Sequence, residues 1–243
     1  MTTNKFLSII VPLYNEESRI LNLITIYKYL NSKKFDWDII LVNDGSIDNT
    51  KKEIKKIIRS LATKNIRLIS YPKNRGKGFA IKTGMLNSSS KYSLFTDIDL
   101  STPIEEFNKF LPYLYKYDVI IGSRKRAGSK VIIHQPNLRE KLGKGFTRLS
   151  QIVLQLNVTD FTCGFKCFSK VAVNKIFNQQ RVDRWGFDSE ILFLAKKFNM
   201  KVKEIPVKWL NDSGSKVKFP QDIIQTLWDL CKIRINELDK QYD

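Results

Sequence analysis

The sequence predicts an α/β fold built on a mostly parallel sheet with helices on both faces. Short apolar runs alternate with segments of helical spacing through the first half of the chain, and the links between them are short. Repeated strand–helix–strand units of this kind place parallel strands in one sheet and their connecting helices on its faces. Buried parallel strands are continuous apolar runs, and five such runs are present. They are Leu7–Pro12, Trp37–Asn43, Ile66–Tyr71, Tyr92–Thr96 and Val119–Gly122.

Helical spacing fills the gap after each of the first four strands. Asp48 and Thr102 are suited to begin helices, and Pro103 suits a first helical turn because its missing N–H is not needed there. The helices predicted for the first half are about Glu16–Leu30, Asp48–Leu61, Gly78–Leu86 and Pro103–Tyr115.

The second half is less regular and predicts an extension of the same domain. Residues 123–137 are polar and irregular, and residues 160–169 are rich in turn formers. No linker composition separates the halves, so a single domain over 1–243 is expected, with halves at about 6–122 and 123–243. The predicted elements are helices at Leu138 to about Leu156, Val171–Asn178 and Asp188–Phe198, a strand at Lys201–Leu210, and an amphipathic C-terminal helix from Pro220 to about Leu238.

The composition is that of a globular protein with a strong positive charge. Of 243 residues, 42 are Lys or Arg and 24 are Asp or Glu, which gives a net charge of +18. Such a balance suits polyanionic partners, namely nucleic acid, an anionic membrane or phosphorylated ligands. Because only 11 of the basic residues are arginines, a solvated lysine-rich surface explains many of the charges equally well.

Several classes of protein are disfavoured. No apolar run reaches the roughly 18–20 residues that span a bilayer, and no secretory signal begins the chain, so a cytoplasmic protein without a transmembrane helix is expected. Three cysteines argue against a disulfide framework, and a single histidine, His134, argues against Cys/His zinc sites. Cys163 and Cys167 are expected to be buried thiols.

Polar groups follow all five predicted strands. In an open α/β sheet, ligands bind beyond the carboxyl ends of the strands. One polar segment alone would be a simple turn, but five together indicate a binding site at this edge. The segments are 12–16, 43–46, 74–78, 97–99 and 122–124.

The motifs that are present and absent narrow the type of ligand. The chain has no G-x-G-x-x-G after its first strand and no G-x-x-x-x-G-K-[ST], which disfavours a dinucleotide cofactor and a P-loop. Asp97 and Asp99 instead form a D-x-D at a strand end, where side chains two residues apart point to the same side. Two such carboxylates suit a hard divalent cation, Mg²⁺ or Mn²⁺, that also binds a diphosphate. The cation would offset the charge on a departing nucleoside diphosphate.

Together these motifs resemble glycosyltransferase family 2. The segments PLYNE, NDGS, DID and GSR occur in the order and spacing of that family. Three segments of the second half, at 160–168, 184–190 and 213–217, resemble the branch that transfers glucose to dolichyl phosphate, and the likeness covers about residues 6–238. The resemblance implies a GT-A (Rossmann-like) fold, an inverting transfer and a sugar-nucleotide donor.

The resemblance also implies roles for individual residues. The half at about 6–122 would bind the nucleotide-sugar, and the half at 123–243 would bind the acceptor. Asp97 and Asp99 match the carboxylates at the donor diphosphate and metal, with Asp99 as the direct metal ligand. The other residues matched to the donor are Pro12, Tyr14, Glu16 and Asp44; those matched to the acceptor or donor phosphates are Ser123, Arg124 and Arg139; and the acceptor-site candidates are Asp188, Glu190 and Lys216. Lys77 is a further donor-site candidate, because the backbone of its glycine-flanked loop can approach a phosphate. The residues expected to be catalytic are Asp97, Asp99, Arg124 and Arg139.

The expected activity is transfer of glucose from UDP-glucose to a polyprenyl (dolichyl-type) phosphate. Ser101 stands where mannose-transferring relatives carry Gln, which makes GDP-mannose a less suitable donor, and Asn43 stands where many members have the first Asp of DDGS. A GDP-mannose-dependent polyprenyl-phosphate mannosyltransferase and a family member acting on a hydroxyl acceptor remain alternatives. A nucleic-acid-binding module is a more distant one, and no nucleic-acid partner is expected.

The nature of the acceptor decides what Asp188 and Glu190 would do. A hydroxyl acceptor needs a general base, whereas a phosphate acceptor is already anionic at neutral pH. Both residues also flank a predicted helix start, which favours carboxylates for structural reasons alone.

Two amphipathic helices are candidates for contact with a membrane. The helix at 138–156 has an apolar row flanked by Lys141, Lys144 and Arg148, and the C-terminal helix has a second row. Core packing is the more common explanation of such a row. Because basic residues are attracted to anionic leaflets, a peripheral protein on the cytoplasmic face of a membrane is expected.

Overall fold

The structure, a computed structural model, describes residues 5–133, 137–210 and 221–242, and within them the side chains other than those of 133–141 and 223. The described strands are β1 (Leu7–Leu13), β2 (Trp37–Asp44), β3 (Ile66–Tyr71), β4 (Tyr92–Thr96), β5 (Val119–Ser123), β6 (Lys130–Ile133), β7 (Phe165–Ser169), β8 (Val202–Pro206) and β9 (Lys208–Leu210). The described α-helices are α1 (Asn22–Asn31), α2 (Thr50–Leu61), α3 (Lys77–Leu86), α4 (Asn137–Leu154), α5 (Lys170–Gln179), α6 (Phe187–Lys197) and α7 (Gln221–Leu238).

Seven strands form one sheet in the order β3-β2-β1-β4-β7-β5-β8. Every neighbouring pair is parallel except the two that involve β7, which runs antiparallel to β4 and to β5. Strands β6 and β9 form a separate parallel pair. The predicted mostly parallel sheet is therefore confirmed, and its five predicted strands are β1 to β5.

Strand β7 was not predicted, because residues 160–169 were expected to be turns. Its sequence, FKCFS, carries a lysine in an otherwise apolar run and follows Gly164, so it lacks the pattern of a central strand. The lysine is nevertheless buried, as are the residues on either side of it. Because β7 is antiparallel, its amino end lies beside the carboxyl ends of β4 and β5.

Three predicted elements were wrong in type or extent. The expected helix at 103–115 consists of two 3-10 segments, Ile104–Lys109 and Leu111–Tyr113, because Pro112 has no N–H to donate within an α-helix. The expected strand at 201–210 is divided at Pro206 into β8 and β9, which belong to different sheets. Helix α1 begins at Asn22 instead of Glu16, since the preceding residues bind the neighbouring loop.

The sheet is covered on both faces, as alternation of side chains along β1 requires. Leu7, Ile9 and Val11 pack with α1, α2 and the 3-10 segments, whereas Ile10 packs with α3, α5 and α6 on the other face. Each such fully buried aliphatic side chain contributes about 1.5–3 kcal/mol. Gly84 lets α3 approach closely, because a Cβ there would lie 2.4 Å from Cγ2 of Ile10.

Helix α4 does not turn its whole apolar row toward the core. Phe146 and Val153 of its apolar row are partly buried, but Leu142, Leu149 and Ile152 are exposed, and Thr147 and Ser150 are buried instead. Core packing therefore explains only part of the row.

Candidate functional site

Asp44 ends β2 and is held by the loop that follows β3. Its Oδ1 accepts the backbone N–H of Arg75 at 2.8 Å, and its Oδ2 accepts the N–H of Gly76 at 2.9 Å and Nδ2 of Asn74 at 2.8 Å. Burial raises the pKa of Asp44, although these donors act to lower it. The hydroxyl of Tyr71, the last residue of β3, also acts to lower the pKa of this carboxylate, so Asp44 is held by the end of β3 as well as by the loop after it.

The loops after β1 and β2 are joined by hydrogen bonds. Asn15, at a positive φ of 52°, accepts the N–H of Ile47 at 2.9 Å, and its own N–H donates to Oγ of Ser46 at 2.9 Å. The N–H of Glu16 donates to Oγ1 of Thr50 at 2.7 Å. The PLYNE and NDGS motifs, which were predicted to lie at the same edge of the sheet, are therefore in contact.

Lys77, the first residue of α3, forms an ion pair with Asp97 at the end of β4. Its Nζ lies 2.7 Å from Oδ1 and 2.8 Å from Oδ2 of Asp97. Burial acts to lower the pKa of Lys77, but the charges of Asp97 and Asp188 outweigh it and raise that pKa. The first carboxylate of the D-x-D is therefore already paired with a cationic side chain.

A glycine makes room for this ion pair. Thr96 of β4 is in register with Phe165 of β7, which brings Gly164 against Asp97. A Cβ at Gly164 would lie 2.2 Å from Oδ2 of Asp97 and 3.5 Å from Nζ of Lys77. The close approach of β7 therefore determines where the Asp97 carboxylate can lie.

Asp99 differs from Asp97 in its charge environment. Its Oδ1 accepts the N–H of Ser101 at 2.8 Å, and no Lys or Arg of the described residues forms an ion pair with it. Burial, followed by the charge of Asp97, raises the pKa of Asp99. Both effects disfavour an isolated negative charge and would be relieved by a cation beside it.

A divalent cation fits these two carboxylates only with further ligands. The described part of the chain has no group of three or more Asp, Glu, His or Cys residues that could hold a metal ion. Mg²⁺ is commonly bound by one or two carboxylates together with water and the phosphates of a substrate. The donor set is therefore that of a metal shared between the protein and a diphosphate.

Arg124, directly after β5, is held by Asp160. Its Nε and Nη2 donate to the two oxygens of Asp160 at 2.8 and 2.7 Å, and Nη2 also donates to Oγ1 of Thr162 at 2.9 Å. Asp160 is fully buried. Burial acts to raise the pKa of Asp160, but the charge and hydrogen bonds of Arg124 outweigh it and hold that pKa at about 2. The ring of Trp209 lies 5.3 Å from Cζ of Arg124.

A second buried ion pair lies behind the Lys77–Asp97 pair. Lys166 of β7 is fully buried, and its Nζ donates to Oδ1 of Asp188 and to the carbonyl of Cys163, the latter at 2.7 Å. Burial raises the pKa of Asp188 in spite of the positive charges of Lys166 and Lys77. Lys77 pairs with Asp97 and Lys166 with Asp188, and the charge of Lys77 also acts on Asp188.

Glu190 is surrounded by hydrogen-bond donors. Its oxygens accept the N–H of Arg181 at 3.0 Å, the N–H of Val182 at 2.8 Å and the hydroxyl of Tyr242 at 2.6 Å. Burial raises its pKa although these donors lower it. These contacts connect α6 to the preceding loop and to the end of the chain, which is a structural use of the carboxylate.

The predicted site residues fall into three groups. Lys77, Asp97, Asp99 and Asp188 are connected through direct contacts or through their charges. Asp44 is held by the loop that leads into Lys77, and Pro12, Tyr14 and Glu16 lie at the end of β1 or just beyond it. Ser123 is fully buried, and its Oγ lies 3.0 Å from Oγ1 of Thr159. The backbone of Arg139 belongs to α4, whereas its side chain, His134 and Lys216 lie outside the described residues.

Two site residues, Asp160 and Lys166, were not among the predicted ones. Both lie in the segment at 160–168 that resembles the family, which did not by itself indicate a role for either residue. A lysine between apolar residues, as in Phe165-Lys166-Cys167, is the signal that could have identified a buried ion pair, since Lys is almost never fully buried without a partner. Cys163 and Cys167 are buried thiols, as predicted, and burial raises the pKa of Cys163 to about 11.

Solved structures with similar folds confirm the predicted GT-A architecture. Glucosyl-3-phosphoglycerate synthase from Mycobacterium tuberculosis, in complex with Mn²⁺, UDP-glucose and phosphoglyceric acid, is 18% identical, with a TM-score of 0.67 over 94% of this chain and 79% of that chain. TarS 1-349 from S. aureus, in complex with UDP-GlcNAc, is 16% identical, with a TM-score of 0.58 over 95% of this chain and 67% of that chain.

Sequence relatives cover almost the whole chain. The dolichyl-phosphate beta-glucosyltransferase of Dictyostelium discoideum is 36% identical over 97% of this chain and 76% of its own length. The enzymes of the same name from Saccharomyces cerevisiae and Homo sapiens are 34% and 33% identical, over 95% and 96% of this chain and 74% and 76% of their own lengths. The family model described as "Glycosyl transferase family 2" matches residues 8–177. The chain therefore belongs to glycosyl transferase family 2.

Proposed function

We propose that the chain transfers glucose from UDP-glucose to a polyprenyl (dolichyl-type) phosphate with inversion at the anomeric carbon. The observation that carries the proposal is Asp99, a carboxylate with a raised pKa and no ion-pair partner among the described residues, beside the Lys77–Asp97 pair. The sequence relatives are dolichyl-phosphate beta-glucosyltransferases, which supports glucose and dolichyl phosphate. The structural neighbours hold UDP-glucose with Mn²⁺ or UDP with Mg²⁺, which supports a UDP-sugar donor and a divalent cation.

The donor would lie along the carboxyl ends of β1, β2 and β4. Pro12, Tyr14 and Glu16 would line the base pocket, and Asp44 would meet the base or ribose. Asp99, with Asp97, would hold Mg²⁺ or Mn²⁺, which when bound offsets the negative charge of the departing UDP. Lys77 would remain close enough to share its charge between Asp97 and the diphosphate.

The acceptor would be activated without a protein base. An oxygen of the lipid phosphate is already anionic, so it forms the bond to the anomeric carbon while the bond to the UDP oxygen breaks on the opposite face. Arg124 and Arg139 would reduce the repulsion between the two phosphates. Positioning and charge neutralisation therefore supply most of the catalysis.

The contacts of Asp188 and Glu190 support a phosphate acceptor over a hydroxyl acceptor. Asp188 is bound to Lys166, and Glu190 is bound to two backbone N–H groups and Tyr242. A base must lose these contacts or share them to receive a proton. We assign Asp188 to positioning of the acceptor side of the site, and Glu190 to structure.

The place of action would be the cytoplasmic face of a membrane. No helix among the described residues is long and apolar enough to cross a bilayer. A peripheral protein with a net charge of +18 would reach the acceptor phosphate from the water side, next to anionic lipids.

Asp99→Asn tests the donor and metal assignment. Calorimetry of UDP-glucose with and without Mn²⁺ should show that the variant loses the metal-dependent part of the affinity, and transfer to a polyprenyl phosphate should fall by at least about 100-fold. GDP-mannose should bind the parent protein more weakly than UDP-glucose.

The matched control is Asp36→Asn, because Asp36 is exposed and lies at the opposite end of β2. It should leave both measurements unchanged. Full activity of Asp99→Asn, or full activity of the parent in excess EDTA, would overturn the metal assignment. Tighter binding of GDP-mannose would replace glucose by mannose as the transferred sugar.

A further inference from the structure

Helix α4 turns an apolar row toward solvent. Leu142, Leu149 and Ile152 are exposed, Ile152 by 67% of its surface, and their spacings of seven and three residues place them on one stripe. Thr147 and Ser150 are buried on the same helix. Leu154 supplies a buried apolar contact of the helix, so packing among the described residues does not account for the exposed row.

Helix α7 repeats this arrangement. Its exposed apolar row has spacings of four and three residues in alternation, and Trp228 is 61% and Leu238 75% exposed. Leu230 and Ile233 supply the buried contacts of the helix instead. The members of the row are Ile224, Trp228, Cys231, Ile235 and Leu238.

The two rows belong to neighbouring helices, since α4 and α7 pack against each other. Contiguous exposed apolar surface on a folded chain marks an interaction site. We name the exposed rows of α4 and α7 together the apolar surface.

A basic hollow is next to the apolar surface on α4. Its volume is about 390 Å³, and it is lined by Lys125, Lys144, Thr147, Arg148 and Gln151. Nζ of Lys125 donates to Oγ1 of Thr147 at 2.5 Å, which places that ammonium group inside the hollow. Lys125 directly follows Arg124, so the hollow adjoins the acceptor side of the proposed site.

We propose that the apolar surface and the basic hollow form a docking surface for an anionic lipid bilayer, with a lipid phosphate headgroup in the hollow. The apolar rows lie at the boundary between headgroups and acyl chains, where Trp228 is suited to remain because its ring is amphipathic. The docking surface rests on the proposed function, since a lipid acceptor gives the protein a reason to bind a bilayer. It would place the acceptor phosphate beside Arg124.

Charge favours a bilayer over a second copy of the chain. Two copies joined through these rows would bring two basic hollows together, each with three cationic side chains, on proteins of net charge +18. An anionic leaflet instead provides the opposite charge within a Debye length of about 8 Å.

The charge part is tested by flotation with phosphatidylcholine vesicles that contain or lack phosphatidylserine. Each basic residue near an anionic surface contributes about fivefold to binding, so Lys144→Glu with Arg148→Glu should reduce flotation with the anionic vesicles by at least about 25-fold. The control is Lys51→Glu with Lys52→Glu, which makes the same change in net charge on exposed residues of α2 and should have a much smaller effect.

The apolar part is tested with Trp228→Gln and Ile235→Gln together, against Leu21→Gln and Val171→Gln, which are somewhat more exposed and lie elsewhere on the surface. The first pair should reduce flotation by at least tenfold, and the second pair should not. UDP-glucose affinity should remain at the parent level in all these variants. Transfer to a detergent-solubilised acceptor should remain at the parent level in the Trp228 and Ile235 variant, whereas its transfer to an acceptor in vesicles should follow flotation.

Three outcomes would overturn the docking surface. The first is flotation of the charge and apolar variants equal to that of the parent. The second is equal flotation of the parent with neutral and anionic vesicles. The third is a parent dimer in sedimentation analysis that the Trp228 variant abolishes, which would make a second copy the occupant. The proposed function fails separately, if UDP-glucose neither binds the parent nor donates its sugar.

Discussion

Asp160→Asn should lower the free energy of unfolding by about 2–3 kcal/mol at pH 7. The folded-state pKa of Asp160 is about 2, against an ordinary value of 3.8, because Arg124 stabilises the charged form. Each pKa unit corresponds to about 1.4 kcal/mol, and Asn is a neutral substitute of the same shape as a protonated Asp. Measured losses for breaking a buried ion pair reach about 3–5 kcal/mol, so the linkage value is a lower bound.

The effect of Asp160→Asn on stability should depend on pH in a definite direction. Because the folded pKa is depressed, the stabilisation is fully present above the unfolded value of 3.8 and is lost as the pH falls through about 2. The difference in unfolding free energy between parent and variant should therefore be constant from pH 7 to about 5 and shrink steadily below about 4. Taking the difference cancels the raised carboxyl pKa values elsewhere in the chain.

Urea unfolding at a series of pH values provides the measurement. The control is Glu53→Gln, which breaks the exposed pair between Glu53 and Lys56 and should change the unfolding free energy by less than about 0.5 kcal/mol. An Asp160→Asn variant as stable as the parent at pH 7 would refute the reasoning. So would a loss of the same size at pH 7 and pH 3.

Two further predictions concern neighbouring parts of the site. Tyr242→Phe removes a hydrogen-bond donor from buried Glu190 and should lower the free energy of unfolding by about 1.5–3 kcal/mol, which is a fall of several degrees in Tm. The kcat per folded molecule should not change. A fall in kcat at full stability would instead assign Glu190 to catalysis. Gly164→Ala places a methyl group against the Asp97 carboxylate and should raise KM for UDP-glucose at least tenfold. Gly143→Ala should not, because an added Cβ there meets no neighbouring atom within 4 Å. An unchanged KM in the Gly164 variant would show that Asp97 does not need its present position.

The first half of the fold could be predicted because its strands are parallel and buried on both faces. Such strands are continuous apolar runs, and β3 and β4 begin and end at the predicted residues. The same rule fails for β7, in which Lys166 interrupts the apolar run although the strand is central. Only the tertiary contact with Asp188 makes this lysine compatible with the core.

The edge of the sheet at which the site lies could be predicted, but the contacts that the site residues make with one another could not. The ends of β1, β2, β4 and β5 lie at one edge because the strands are parallel, which is a property of the topology. That Lys77 meets Asp97, and that Asp160 meets Arg124, depends on the position of residues 160–164 after the chain has folded back. Likewise, the periodicity of α4 predicts an apolar row but does not say which side of the helix faces the core.

The position of β7 makes the two halves of the chain one folding unit. In the sheet, β5 is joined to β4 only through β7, so residues 6–122 alone would leave β4 with an unpaired edge and β5 without its link to the other strands. An exposed strand edge of that kind is a template for aggregation. The sheet can close only after residues 165–169 have been synthesised and inserted between two earlier strands, a pairing of long sequence separation that is slow to form. The Lys77–Asp97 pair lies against Gly164, so the proposed donor site takes its final shape in the same late step.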